Sequence, residues 1–322
     1  MGFGYFNSFS IRILEKAPDG DFFSSRGRTL AEFKAQTGLR GKNPVCILAD
    51  PFLLRRDGEW LLFYESQTGR YGKGELHMRR SPDAVRWSEG KAVLREDFHL
   101  SFPNVFEDGG RTYMIPETGA DGSIRLYEAT DGTLEHWTLL RKIVDDGRPW
   151  ADSDIVFKDG KYYLFTCVHS RKAPEARLFV ADSLEGEFRE HPCSPFSTDP
   201  ACARNAGRLF EHDGRLWRPV QDCSHGYGKQ ISIMEVTALT PFEYSERLSH
   251  EHILDTSDPF YKRGGHQFCP VEVLGWAAGA EGASAGAALA AEDRVPVATD
   301  AKVRNYNFRE NLAGVARHLF GK

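Results

Sequence analysis

Acidic residues recur at fixed positions of a repeated pattern in this sequence. Asp50 and Asp152 each stand seven residues before an Asp-Gly pair, in "ADPFLLRRDG" and "ADSDIVFKDG", and Glu65 and Glu117 follow the apolar segments after such pairs. Two carboxyl groups in a concave site are the equipment for glycosidic-bond chemistry, because one protonates the leaving oxygen while the other acts as base or nucleophile. Repulsion or burial raises the pKa of one carboxyl, which then stays protonated near neutral pH. The spacing therefore points to carbohydrate chemistry.

The elements that must position these acids are four similar hairpins. Their Asp-Gly pairs start at Asp57, Asp108, Asp159 and Asp213, roughly 50 residues apart. Asp-Gly between two apolar runs is a strong hairpin signal, because both central positions of the turn need positive φ. Each hairpin is followed by a second pair of alternating segments, so each repeat contains four strands. Four strands in a repeat of this length are typical of a propeller blade.

The two ends of the chain supply a fifth blade in this interpretation. "SFSIRILEKAPDGDFF" near the start predicts an outer strand pair, and "HQFCPVEVLGW" with "RVPVATDAKV" near the end predicts an inner pair. Joining them closes a ring and removes exposed sheet edges. We therefore predict an all-β, five-bladed β-propeller forming a single domain over residues 1–322. An Ala/Gly-rich loop is predicted at 277–293, and a short C-terminal helix at 309–322.

Aligning the hairpins on their Asp-Gly pairs brings further residues into register. Five positions before the turn stand Phe52, Pro103, Asp154 and Arg208, on the same strand face as the acids seven before it. The inner strands of a propeller surround its channel, so this face is expected at one mouth. The catalytic candidates are Asp50, Asp152 and Glu117. The substrate-binding candidates are Glu65, Phe102, Trp150, Asp154, Arg208, Gln221, Asp222, Tyr227 and His266.

These candidates have assigned roles and also plainer explanations. Arg208, Asp222 and Tyr227 are expected to fix sugar hydroxyls or an anionic substituent, and Phe102 and Trp150 to stack on a sugar ring. An Asp before a strand also occurs simply as a turn cap, and a lone His is often structural. The shared register of the acids across hairpins favours the functional interpretation.

The motifs resemble a known family. "HLSFPNVFEDGGRTYMIPET", "DIVFKDGKYYLFT" and "AGRLFEHDGRLWRPVQDCSHGYG" look like the propeller domain at the N-terminus of plant glucosamine inositolphosphorylceramide transferases, over roughly residues 8–250. In those proteins the resemblance implies that transfer itself belongs to a separate C-terminal domain.

That domain in turn is similar to the five-bladed arabinanase, invertase and fructosyltransferase enzymes. The similarity implies an Asp at the start of the first blade, matched by Asp50, and a second Asp on a later inner strand, matched by Asp152. It also implies a glutamic acid, for which Glu117 is the choice here. The enzymes usually take this acid from a later blade, where the present sequence has Gln221 and Asp222.

Composition limits the classes of partner. The chain has a formal net charge of −5, which argues against a nucleic-acid partner. It contains neither a secretory leader nor an apolar run long enough to span a bilayer, so no membrane span and a cytoplasmic location are predicted. Six cysteines show no metal-type spacing and predict free thiols. The chemistry proposed for the acids requires no cofactor and no metal.

Three functions remain open at this point. The first is an enzyme, a glycoside hydrolase or glycosyl transferase acting on a carbohydrate or glycoconjugate. The second is a non-catalytic glycan-binding module that uses the same pocket. The third is a protein-interaction propeller, for which a flat or apolar mouth is expected instead of an acidic one.

Overall fold

The computed structural model of the protein describes residues 6–16, 21–36, 44–69, 71–170, 174–273 and 295–305. Across these ranges the regular structure is β-strand apart from one short 3-10 turn, Gly119–Asp121. The all-β prediction is confirmed. The predicted loop at 277–293 and helix at 309–322 lie outside the described residues. In the part of the chain that is described, no helix has the length and apolar character to cross a bilayer.

The strands follow one another in chain order. The first six are β1 Phe6–Lys16, β2 Arg28–Phe33, β3 Val45–Arg56, β4 Glu59–Thr68, β5 Gly74–Ser81 and β6 Lys91–Leu94. The next eight are β7 Ser101–Asp108, β8 Arg111–Glu117, β9 Ser123–Ala129, β10 Trp137–Asp145, β11 Trp150–Lys158, β12 Lys161–Val168, β13 Glu175–Ala181 and β14 Arg189–Glu190. The last eight are β15 Arg204–Asn205, β16 Phe210–His212, β17 Arg215–Asp222, β18 Gln230–Leu239, β19 Tyr244–His250, β20 Phe268–Pro270, β21 Glu272–Val273 and β22 Val295–Asn305.

These strands form four sheets. Two four-stranded sheets contain β7 to β10 and β11 to β14, each joined by antiparallel hairpins, and a five-stranded sheet contains β15 to β19. The nine-stranded sheet has the order β20-β22-β1-β3-β4-β5-β6, with β2 beside β1 and β21 beside β3. Within it, β1 meets β3 in parallel at one residue pair, Phe9 with Ile47. That contact and the parallel pairing of β21 with β3 join the N- and C-terminal strands to the hairpin-built strands β3 to β6.

The two ends of the chain pair along the full length of β1 and β22. Their antiparallel register runs from Phe6 opposite Asn305 to Lys16 opposite Val295, and β20 flanks β22 on its other side. β1 is therefore not an edge strand, because β22 pairs along its whole length on one side and β2 pairs with it on the other. This confirms the predicted joining of the two ends.

The Asp-Gly turns behave as predicted in three hairpins and differ in one. Asp57 and Gly58 both have positive φ, 50° and 80°, as a two-residue hairpin turn requires. In the second hairpin the turn residues are Gly109 and Gly110, with φ 55° and 76°, and Asp108 is the last residue of β7. Aligning that hairpin on Asp108 was therefore wrong by one residue, because the sequence offers two glycines after the aspartate.

The corrected register changes which residues are equivalent. Counting back from Asp108 places Ser101 seven positions before the turn, with Asp50 and Asp152, and Pro103 five positions before it, with Phe52 and Asp154. The strand pairing instead makes Phe102 equivalent to Asp50 and Asp152, and Asn104 equivalent to Phe52 and Asp154.

Hydrophobic clusters fill the spaces between consecutive sheets. One cluster joins β4 to β8 through Phe63 and Met114, and the next joins β8 to β12 through Ile115 and Leu164. The following two join β12 to β18 through Phe165 and Leu239, and β18 to β20 through Ile233 and Phe268. A fifth cluster contains Ile11 of β1 and Leu62 of β4, within the nine-stranded sheet. Because burying one such side chain stabilises the fold by about 2 kcal/mol, these interfaces hold the sheets together.

The first strand of the fourth hairpin is interrupted between β15 and β16. Arg204 pairs with Gln221 and Phe210 with Trp217, and the equivalent pairs of β3 and β4 are Ala49–Glu65 and Leu54–Leu61. The first strand of the fourth hairpin therefore has one extra residue between these two pairs. Gly207 lies in the interruption with φ 132°, and a Cβ there would stand 2.3 Å from the carbonyl oxygen of Phe268. The close approach of β20 therefore requires glycine at this position.

Candidate functional site

Three inner strands carry the same backbone irregularity at the same place. Asp50, Phe102 and Asp152 have φ of 50°, 48° and 48°, and each follows a residue paired with the end of the second strand of its hairpin. The pairing register shifts immediately after each of them, which is the signature of a β-bulge. Positive φ at residues other than glycine is uncommon and marks constrained positions, often functional ones. Bulges also re-aim side chains, and here they do so on neighbouring strands.

The backbone N–H at each of these three positions donates to a carboxylate from another part of the chain. Asp50 N–H donates to Asp300 Oδ2 over 3.3 Å, and Phe102 N–H donates to Asp50 Oδ2 over 3.1 Å. Asp152 N–H donates to Glu117 Oε2 over 3.3 Å. These bonds thus link β22 to β3, β3 to β7, and β8 to β11, and they bring the acids close to one another.

A guanidinium that the sequence analysis did not select holds two of the acids. Arg204 Nη2 donates to Glu117 Oε2 over 3.1 Å, and Arg204 Nε donates to Asp152 Oδ2. Gln221 Nε2 also donates to Asp152 Oδ2, over 2.9 Å. The count back from the turn selected Arg208 instead. Allowing for the extra residue in this hairpin puts Asn205 and Gly207 in the two columns, so Arg204 lies one position before the column of Asp50 and Asp152. The pairing of Arg204 with Gln221 matches that of Ala49 with Glu65.

The catalytic candidates belong to one electrostatic cluster. Burial raises the pKa of Glu117 to about 8; Arg204 opposes this rise, and Asp152 and Asp50 add to it. Burial raises the pKa of Asp50 to about 6, which His266 partly offsets and Asp152 reinforces. The three acids therefore interact although they come from three different hairpins.

His266 completes the cluster beside Asp50. Its Nδ1 lies 2.6 Å from Asp300 Oδ2 and 3.6 Å from Asp50 Oδ1. Burial alone would lower the pKa of His266, but Asp300 and then Asp50 raise it above the ordinary value. One ligand-type atom of each residue lies within 4.8 Å of those of the other two, so these three are the described residues that could hold a cation. The ion pair of His266 with Asp300 accounts for the same grouping when the imidazole is protonated.

Glu65 and Tyr227 border the same cluster. Glu65 is buried, and burial, followed by the charges of Asp50 and Glu117, raises its pKa well above the ordinary value. The ring of Tyr227 lies 5.0 Å from that of His266 and 5.3 Å from the guanidinium carbon of Arg204, measured to its centroid. Tyr227 is 43% exposed, so this ring is open to a ligand.

Asp154 and Arg208 lie deeper and bind neighbouring strands. Asp154 Oδ1 accepts from Asn104 Nδ2, and Asp154 Oδ2 accepts from the N–H of Leu209. Arg208 Nη2 donates to Asn104 Oδ1 over 3.1 Å and also to the carbonyl of Val105. Both residues are buried. Their contacts give them a role in tying the inner strands together.

Three of the other candidates are engaged by contacts within the protein. Phe102 is fully buried and packs edge-to-face on Phe52, and Trp150 is 1% exposed in the core between two sheets. Neither leaves a ring face open for stacking. The carboxylate of Asp222 is engaged by His252 at 2.7 Å and by Ser224. Each assignment rested on strand position, which does not reveal what packs on the side chain.

Comparison with known proteins gives first the class of fold. The structure superposes on an α-L-arabinofuranosidase from Podospora anserina with a TM-score of 0.57, at 11% identity over 80% of this chain and 91% of that one. It also superposes on the catalytic domain of a GH62 α-L-arabinofuranosidase from Coprinopsis cinerea with a TM-score of 0.56, at 12% identity over 83% and 96%. The fold is thus a β-propeller of the kind found in glycoside hydrolases.

The family follows from the sequence match. Residues 35–260 match the model described as glucosamine inositolphosphorylceramide transferase 1, N-terminal, and the chain belongs to this family. The transferase 1 of Oryza sativa subsp. japonica is 36% identical over 217 residues, which are 65% of this chain and 29% of that protein. The one of Arabidopsis thaliana is 34% identical over 210 residues, 63% of this chain and 27% of that protein. The chain thus spans less than a third of the length of these relatives.

Proposed function

We propose that this protein acts on a glycosidic bond of a carbohydrate or glycoconjugate through its buried acid cluster. The observation that carries the proposal is that Asp50, Asp152 and Glu117, from three hairpins, form one cluster. Within it the pKa of Asp50 is about 6 and that of Glu117 about 8. Two carboxyl groups held at different pKa values are what acid–base catalysis at a glycosidic oxygen requires. The plant relatives are named as glucosamine inositolphosphorylceramide transferases, so a glycoconjugate is the substrate class we propose.

The environments suggest a division of roles. Glu117, with the higher pKa, is protonated near neutral pH and is the proposed general acid. Asp50, with the lower pKa, is ionised there and is the proposed base or nucleophile. Asp152 is held by Arg204 and Gln221 and helps to set the charge around both. Glu65, Tyr227 and His266 are the proposed sugar contacts.

The proposal includes a closed ring of five blades. The nine-stranded sheet divides at the two parallel contacts of β3, with β1 and with β21. One blade is then built from β20, β22, β1 and β2, and the other from β3 to β6. Support comes from the hydrophobic clusters between each sheet and the next, including the pair that joins the last sheet to β20. In such a ring the bulges of β3, β7 and β11 lie around one opening, and the acid cluster forms its floor.

A second candidate is a glycan-binding module without turnover. It is favoured by Arg204, which already engages both Asp152 and Glu117 and so restrains their proton chemistry. Gln221, a residue that cannot serve as an acid, also stands beside Asp152. Here the acids act as hydrogen-bond acceptors for sugar hydroxyls.

The two candidates separate in one experiment. The purified protein is incubated with a panel of oligosaccharides and glycolipid headgroups, and both binding and product release are followed, by calorimetry and by mass spectrometry. Turnover with a bell-shaped pH dependence, rising near pH 6 and falling near pH 8, supports the enzyme. Saturable binding with no product supports the binding module. If the protein neither binds nor cleaves any member of the panel, both candidate functions are overturned.

We also propose a cytoplasmic location for this protein. Fractionation of the producing cells, followed by immunodetection of the protein, tests it.

A further inference from the structure

A basic pocket lies beside the acid cluster and is not used by the chemistry proposed above. Its volume is about 320 Å³, and it is lined by Asn7, Lys229, Lys262, Arg263 and Lys302. Asn7 lies on β1 and Lys302 on β22. Lys229 lies in the loop before β18, and Lys262 and Arg263 lie in the loop before β20. The chain as a whole is acidic, with a net charge of −5, so four cations around one pocket oppose its general charge.

The four cations have no acidic counter-ion among the described residues. No carboxylate oxygen of those residues stands within 4.0 Å of Lys229, Lys262, Arg263 or Lys302. Elsewhere arginines pair readily, as Arg12 does with both Glu32 and Asp258. Like charges that converge without a counter-ion repel one another, and an anion in the pocket relieves this repulsion.

Lys302 is the buried member of the group. It is only 8% exposed, and its Nζ donates to the carbonyl oxygen of Tyr227. Among the described residues this is its one hydrogen bond, although an ammonium group has three donors. Burial, then the charges of Lys229 and Arg263, lower its pKa. A buried ammonium with donors to spare, at the edge of a basic pocket, suits the binding of an oxyanion.

Tyr227 separates this pocket from the acid cluster. Lys302 Nζ lies 5.8 Å from the centroid of its ring, and the guanidinium carbon of Arg204 lies 5.3 Å from the same centroid. The two sites therefore share one partly exposed aromatic ring. A single ligand that places a sugar over the acids and an anionic group in the basic pocket can occupy both.

We propose that the pocket lined by Lys229, Lys262, Arg263 and Lys302 binds a phosphate ester group of the glycan substrate. The inference rests on the proposed function and adds the anionic substituent of the substrate. Three lysines and one arginine converging from separate segments supply several point charges around one centre. That arrangement suits the tetrahedral oxygens of a phosphate ester better than the planar pair of a carboxylate.

The test compares two triple variants. In one, Lys229→Gln, Lys262→Gln and Arg263→Gln remove the three exposed cations of the pocket. In the matched control, Lys158→Gln, Lys161→Gln and Arg189→Gln make the same change of charge on β11, β12 and β14, in a different sheet. Melting temperatures establish that both fold. Calorimetry at fixed ionic strength then measures four probes: glucose, glucose 6-phosphate, inorganic phosphate, and vesicles containing phosphatidylinositol.

The wild type and the control should bind a phosphate ester probe, and the pocket variant should bind it at least ~10-fold more weakly. Preference for glucose 6-phosphate identifies a soluble sugar phosphate as the source of the group, and preference for the vesicles identifies a lipid headgroup. Equal loss in both triple variants overturns the proposal, as does binding of inorganic phosphate as tight as that of either ester. No binding of any phosphate probe by the wild type also overturns it.

Parallel measurements with neutral glycans separate this inference from the proposed function. If the protein neither cleaves nor binds neutral glycans, but phosphate ester binding is lost only in the pocket variant, the anion site stands and the glycan function fails. If neutral glycans are bound or cleaved and the pocket variant binds esters normally, the glycan function stands and the anion site fails.

Discussion

The guanidinium of Arg204 donates from Nη2 to Oε2 of Glu117 over 3.1 Å, although 87 positions separate the two residues in the chain. The same side chain donates from Nε to Asp152. One cation from the fourth hairpin therefore fixes two acids from the second and third. Because it opposes the effect of burial on the pKa of Glu117, it also tunes the acidity of the proposed general acid.

Arg204→Met should destabilise the protein, and more strongly at high pH. Removing one partner of a buried ion pair leaves uncompensated charge and costs about 3 kcal/mol of unfolding free energy. At pH 6 Glu117 keeps its proton, so the loss should be smaller there than at pH 9. Urea denaturation at both pH values measures the difference. Arg189→Met at an exposed position is the control, and an Arg204→Met loss that is equal at both pH values would contradict the prediction.

Glu117 should make stability fall with rising pH. Its pKa is raised from 4.5 to about 8 in the folded state, so the folded protein holds a proton that the unfolded chain releases. The resulting contribution to stability is fully present below pH 4.5 and is lost as the pH rises through about 8. Glu117→Gln has no proton to lose, so its unfolding free energy should decline less between pH 5 and 8.

Urea titrations at unit pH steps compare Glu117→Gln with the wild type. Glu187→Gln, at a side chain that is 73% exposed, should keep the wild-type pH dependence. Parallel curves for Glu117→Gln and the wild type would show that the acid is not buried with a raised pKa.

Asp50→Asn should abolish turnover in a folded protein. The asparagine side chain retains an oxygen that can accept from the N–H of Phe102, so the backbone linkage survives while the proposed base or nucleophile is lost. Loss of a positioned acid or base lowers the rate by about 100-fold or more. The rate of product release is the measurement. Asp57→Asn at the exposed hairpin tip is the control, and an active Asp50→Asn enzyme would reject the assignment.

Asp154→Asn should weaken the fold and spare the ligand. Its carboxylate accepts from Asn104 and from the N–H of Leu209, and an amide has only one oxygen to serve both. A buried donor left unpaired costs about 2 kcal/mol. Chemical denaturation should show that loss, and calorimetry should find unchanged affinity for whichever glycan the wild type binds. Asp159→Asn in an exposed turn should change neither quantity, and weakened glycan affinity in Asp154→Asn would instead make it a ligand contact.

The sequence by itself determined the all-β class and the hairpin repeat, because those depend on local signals. It also predicted the pairing of the two ends, because pairing them removes exposed sheet edges. Asp-Gly turns and alternating apolar residues specify hairpins within a few positions of themselves. The same periodicity led to Asp50, Asp152 and Glu117, which the structure brings into one cluster. The alignment of the second hairpin was wrong by one residue, because its turn is formed by Gly109 and Gly110 and not by Asp108 and Gly109.

Only the tertiary structure decided which side chains face one another. Arg204 carries no local signal, since it lies one position before the column of Asp50 and Asp152 and meets Asp152 and Glu117 only through the packing of neighbouring hairpins. Phe102 and Trp150 look the same in sequence whether their rings are open or covered, and the packing of neighbouring sheets covers them. Strand periodicity fixes the face on which a side chain lies, whereas burial, charge pairing and pKa depend on groups brought close from distant parts of the chain.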